Sequence, residues 1–140
     1  MRPVMIVMSH GNMAAETVNS AKMIVGEMEN VFVIAMKEDD GLSGTMDKLE
    51  AVLATFDLQT EIVILIDLKG GTPGNTALMK LGSYPNLNVV SGLNLAMLIE
   101  AALSPLTSSA SLASHLETVG RNAVEKLSLA EKTGEEEYEE

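Results

Sequence analysis

The chain has two histidines, His10 and His115, and no cysteine. Thiol catalysis, disulfides and thiolate metal sites are therefore excluded, and an imidazole becomes the first nucleophile to consider. His10 stands in Ser9-His10-Gly11-Asn12, directly after an apolar run. An unperturbed imidazole titrates near pH ~6.5, so it is available as a base or nucleophile at cellular pH. A carboxylate accepting from Nδ1–H would fix its tautomer and present the Nε2 lone pair outward. It would also stabilise the cation formed when Nε2 bonds to an electrophile. Asp67, which closes another apolar run, is the carboxylate placed for that role. Behind it runs Gly70-Gly71-Thr72-Pro73-Gly74-Asn75, a loop leading into a helix. Its backbone N–H groups and the Thr72 hydroxyl could face an anion at that helix's N-terminus. Gly11, beside the histidine, would let another molecule approach the ring closely. These parts fit the handling of a phosphoryl group by a histidine.

Each part also has a plainer reading. A histidine at a strand end can be a structural hydrogen-bonder, and an Asp before Gly-Gly can be turn chemistry alone. Gly70 and Gly71 can simply make a tight turn, and Thr72 can serve as an N-cap. Other candidates are weaker. His115 falls in a polar-faced helical segment, and Ser9 lacks the G-x-S-x-G context of a nucleophile elbow. Neither G-x-x-x-x-G-K-[ST] nor G-x-G-x-x-G occurs, so nucleotide binding has no local support. Asp39 and Asp40 could ligate a cation together with Asp67, but Asp40-Gly41 reads better as a turn. The two histidines lack metal-ligand spacing.

Something must carry these residues to one place, and the hydrophobic pattern says what. Strands are expected at Pro3–Met8, Val31–Met36, Glu61–Ile66 and Leu87–Ser91. Helical periodicity is expected over Met13–Glu27, Ser43–Phe56, Asn75–Leu81, Leu93–Leu103 and Ser108–Lys126. The strands are too uniformly apolar to leave a wet face. That predicts an α/β protein with a mainly parallel sheet and helices on both faces. Ligands in such sheets bind beyond the carboxyl ends of the strands, where strand order reverses. In the order 2-1-3-4, strands 1 and 3 are neighbours there, and His10 and Asp67 share a crevice.

At 140 residues the chain suits one domain. With 9 Lys and Arg against 20 Asp and Glu, the net charge is −11. Six Glu and one Lys in the last ten residues leave that segment at −5 and the rest at −6. This sign disfavours nucleic-acid binding and docking on anionic lipid. The tail, residues 129–140, is expected to be disordered and solvating. With only Phe32, Phe56, Tyr84 and Tyr138 as aromatics, the core must be aliphatic, with ten Met as adaptable filler. No apolar run approaches the ~20 residues of a membrane span, and the first run is too short for a signal segment. The expected location is the cytoplasm.

Three segments in order carry a resemblance: Ser9-His10-Gly11, Asp67 through Asn75, and Ser91 through Met97. Over residues 1–128 the chain resembles the IIA proteins of the mannose-type sugar phosphotransferase system (PTS). The resemblance implies that His10 is phosphorylated at Nε2 by the histidine-containing phosphocarrier HPr and passes the group to a histidine of a IIB partner. The chain would thus be a phosphotransferase component needing no cofactor, serving the membrane IIC and IID components indirectly. Asp67 would orient His10, and Thr72 would hydrogen-bond the phosphoryl group. Gly11, Gly70, Gly71, Gly74 and Asn75 would form the loop around it. The family fold is a sheet of order 2-1-3-4 plus an antiparallel edge strand exchanged within a homodimer, here near Arg121–Leu127. Where some relatives continue into a fused IIB domain this sequence has an acidic tail, so IIB is expected to be a separate polypeptide. The alternatives are a regulatory module gated by phosphorylation and a flavodoxin-like small-ligand binder with a structural His10.

Overall fold

A computed structural model describes residues 1–129. In order they form β1 (Val4–His10), α1 (Met13–Val25), β2 (Val31–Met36), α2 (Gly41–Leu53), β3 (Ile62–Ile66), α3 (Thr72–Met79), β4 (Leu87–Ser91), α4 (Leu95–Leu103) and α5 (Ser109–Asn122). The four strands are all parallel and lie in the expected order 2-1-3-4.

The two central strands explain why both faces are covered. Side chains alternate along a strand. Met5 and Val7 of β1 therefore join Val63 and Leu65 of β3 under α1, α4 and α5, against Val18, Leu98, Leu112 and Leu116. Val4, Ile6 and Met8 join Ile62, Ile64 and Ile66 on the other face, against Leu49 and Leu53 of α2 and Ala77 of α3. Each fully buried aliphatic side chain contributes about 1.5–3 kcal/mol relative to exposure. Ten buried positions of the two central strands, four on one face and six on the other, pack the middle of the sheet. The β2 edge is partly blocked by Lys48, whose Nζ donates to the Ala35 carbonyl at 2.9 Å.

The helix limits differ from the periodicity in instructive ways. α1 stops at Val25 instead of Glu27 because Gly26 turns the chain out at φ 87°. α2 runs over Gly41–Leu53, beginning and ending earlier than the apolar spacing suggested. α3 begins at Thr72, three residues before the expected start, because Pro73 fits a first turn where no N–H is needed. α4 starts at Leu95, with the Asn94 side chain accepting from the Met97 amide at 3.0 Å. α5 begins at Ser109 and ends at Asn122, short of Lys126. Residues 124–128 form neither helix nor strand in this single chain, and Val124 and Leu127 are exposed. The acidic tail lies outside the described residues from residue 130 onward. Among the described residues no helix is long and apolar enough to cross a membrane.

Candidate active site

The site arises where β1 outlasts β3. β1 pairs with β3 only as far as Met8 and Ile66, yet continues beside β2 through Ser9–Ala35 and His10–Met36. Asp67 follows at the end of β3, and its amide closes the ladder on the Met8 carbonyl at 3.2 Å. Its side chain takes over from there. Asp67 Oδ2 accepts from the His10 backbone N–H at 2.9 Å and lies 2.8 Å from His10 Nδ1. A carboxylate can only accept, so Nδ1 carries a proton, and in the neutral ring the lone pair is on Nε2. The Asp67 side chain is 10% exposed and that of His10 44% exposed. The carboxylate is thus largely buried while the imidazole is open to solvent.

One carboxylate oxygen therefore fixes both the backbone and the ring of the same residue. The other, Oδ1, is buried and has no hydrogen-bond partner among the described residues.

Ser9 braces the turn from beneath. It is fully buried; its hydroxyl donates to the Gly11 carbonyl at 3.2 Å and accepts from the Ala14 amide at 2.7 Å. The Gly11 amide is held by the Met36 carbonyl at 2.8 Å. Sequence reasoning considered Ser9 only as a possible nucleophile. No spacing rule points to its actual work, because the helix's N-cap position belongs to Asn12.

The Gly-rich segment lies against the same ring. Gly70 has φ +91°, a region that side chains disfavour. Gly71 packs so closely that a Cβ there would stand 2.6 Å from His10 Cε1. Its amide donates to the Leu68 carbonyl at 3.4 Å, so it is already engaged. Among the described residues, the amides of Gly70, Thr72 and Gly74 and the Thr72 hydroxyl have no partner. Thr72 is the first residue of α3 and half-buried, while Asn75 is exposed one turn in. Gly74 is buried for packing: a Cβ would meet Ile66 Cδ1 at 2.6 Å.

The weaker candidates separate from this site. Asp40 Oδ2 accepts from Lys48 Nζ and from the Lys37 amide, both at 2.7 Å. Lys48, then the Lys37 amide, holds its carboxyl below the usual carboxylate range. Among the described residues no three His, Asp or Glu side chains are grouped to hold a metal ion, so the Asp39–Asp40–Asp67 set does not assemble. His115 pairs with Glu100 on neighbouring helices, Nε2 to Oε2 at 2.8 Å.

A sequence profile described as "PTS system fructose IIA component" matches residues 4–120. The chain belongs to the mannose-type family of PTS IIA components. The sorbose-specific EIIA component of Klebsiella pneumoniae is 30% identical over 115 residues, covering 81% of this chain and 84% of that protein. The mannose-specific EIIAB component of Escherichia coli is 29% identical over 99 residues, or 71% of this chain. That match spans only 31% of the longer EIIAB protein. Among solved structures, the mannose/sorbose-specific IIA subunit from Enterococcus faecalis superposes with a TM-score of 0.89 at 50% identity. The superposition covers 92% of this chain and 97% of that one.

Proposed function

We propose that this PTS IIA component is a phosphocarrier in which His10 Nε2 accepts a phosphoryl group from phospho-HPr and hands it to a histidine of a IIB protein. The observation that carries this reading is the 2.8 Å contact of the buried Asp67 with Nδ1 of a half-exposed imidazole. In the step, the donor's P–N bond breaks as the P–Nε2 bond forms. The Nδ1 proton stays on His10, where Asp67 stabilises the cationic ring. The transition state spreads charge over the equatorial phosphoryl oxygens. The Thr72 hydroxyl and the unpartnered amides of Gly70 and Thr72 are donors suited to screen it.

Docking has support around the same rim. Met13, Leu42 and Leu68 follow β1, β2 and β3 at the catalytic edge of the sheet and are 45%, 48% and 59% exposed. Apolar contacts there, with an acidic body steering a basic partner face, suit brief encounters with HPr and IIB in the cytoplasm. IIC and IID are reached through IIB.

The homodimer belongs to the same proposal. A groove of about 650 Å³ runs along the open edge of β4, lined by Asn88, Val90, Asn94, Gly120, Arg121 and Val124. An antiparallel strand from a second copy's residues 121–127 would pair that edge and cover Val124 and Leu127. Sedimentation should then give a dimer that Val124→Asp weakens.

The phosphorylation test is HPr-dependent labelling from phosphoenolpyruvate and enzyme I, read by intact mass. One acid-labile, base-stable phosphate on wild type and its transfer to IIB are expected. Undiminished labelling of His10→Ala would sink the reading.

A further inference from the structure

Gly71 does more than make a turn. A Cβ at this position would lie 2.6 Å from His10 Cε1, 3.2 Å from Nε2 and 3.8 Å from Nδ1. A Cβ stacked over the ring face at Cε1 would stand nearly as close to both nitrogens as to that carbon. The observed order instead puts it beside the ring edge, displaced toward Nε2. A phosphoryl group on Nε2 lies in the ring plane, and its oxygens sweep this same space.

The neighbouring backbone cannot easily give way. The Gly71 amide donates to Leu68 and its carbonyl accepts from Asn75 at 2.9 Å, in the first turn of α3. On its far side the ring is held by Asp67. We infer that Gly71 is a positioning residue, whose bare Cα seats the His10 ring against Asp67 and keeps clear the volume that a group on Nε2 must occupy. The inference deepens the phosphocarrier reading and rests on it for its catalytic meaning.

The position is well suited to test. Gly71 has φ −89° and ψ 170°, which any residue adopts, so alanine brings a collision without backbone strain. At Gly70 the case is reversed: a Cβ would meet nothing within 4 Å, but φ is +91°, so alanine there brings backbone strain without a collision. With alanine at 71 the ring must rotate, which takes Nδ1 off Asp67.

The experiment is Gly71→Ala in the full chain, with ¹⁵N-histidine NMR and HPr-dependent phosphorylation measured together. The Nδ1–H tautomer of His10 should be lost. Phosphorylation should slow about 100-fold, as expected for a misplaced reacting group. Adding Asp67→Asn should then cost little more, because the bond it removes is already broken. A wild-type tautomer and rate in Gly71→Ala would overturn the inference, and so would full additivity with Asp67→Asn. If wild type accepts no phosphate, the phosphocarrier reading fails, while the tautomer still reports whether Gly71 seats the ring. If Gly71→Ala does not fold, the wild-type NOE between His10 Hε1 and the Gly71 Hα protons decides: its presence supports the contact and its absence overturns it.

Discussion

Both histidines sit 2.8 Å from a carboxylate, yet the two pairs are built differently. His10 offers Nδ1 to the short, nine-tenths-buried Asp67 side chain, which also holds the His10 backbone amide. His115 offers Nε2 to Glu100 across two helices, with side-chain exposures of 39% and 36%. The first pair joins adjacent strand ends of a rigid sheet and leaves Nε2 facing solvent. The second uses a longer acid with more rotamers to order, in water that screens the attraction, and such pairs contribute little. Distance alone does not make a site. The lesson is that burial of the acid, the choice of ring nitrogen and the stiffness of the support decide what a histidine–carboxylate contact can do.

The comparison can be broken most directly by exchanging the histidines' fates. His10→Ala should abolish HPr-dependent labelling, while His115→Ala should leave its rate unchanged; any loss in the latter would make the pairs equivalent. The carboxylates come next. Asp67→Asn should slow phosphorylation roughly 10²- to 10⁴-fold by permitting the wrong tautomer. Glu100→Gln should leave both the rate and the His10 tautomer as in wild type, measured by stopped reaction and ¹⁵N NMR.

A smaller effect tests the donors around Nε2. Thr72→Val should slow transfer about 10- to 100-fold, the worth of one hydrogen bond to a charged group. The stability of the unphosphorylated protein should stay within about 0.5 kcal/mol by urea unfolding.

The smallest effect concerns Asp40, which forms a part-buried ion pair with Lys48 outside the site. Lys48, and then the Lys37 amide, lowers its carboxyl below the ordinary value of 3.8. A depressed acid stabilises the fold above its unfolded pKa and loses that contribution as pH falls through the folded one. Asp40→Asn should therefore show a slightly smaller fall in urea midpoint than wild type between about pH 5 and pH 3. An equal or larger fall would show that the pair carries no pH-dependent stability.

Much of the site was legible along the chain. The apolar runs ending at His10 and Asp67 mark strand ends by composition, and a parallel sheet follows from strands with no polar face. An imidazole, a carboxylate and a glycine-threonine loop suit phosphoryl chemistry by type, but residue types alone left the reaction class open. The helix ends were less legible. α3 starts at Thr72 because Pro73 is harmless in a first turn, and that places Thr72 on the helix instead of in a loop. α5 stops at Asn122 although the apolar pattern runs on.

Local sequence thus determined which residues could do chemistry and which elements would carry them, because side-chain type and hydrophobic period are local properties. The pairing of residues 57 positions apart needed the strand order, since only adjacency of β1 and β3 brings Asp67 to His10. The nearness of Gly71 to the ring edge and the burial of Ser9 under the turn are likewise products of packing. No periodicity encodes them, because each depends on how two loops from different strands come to rest on one another.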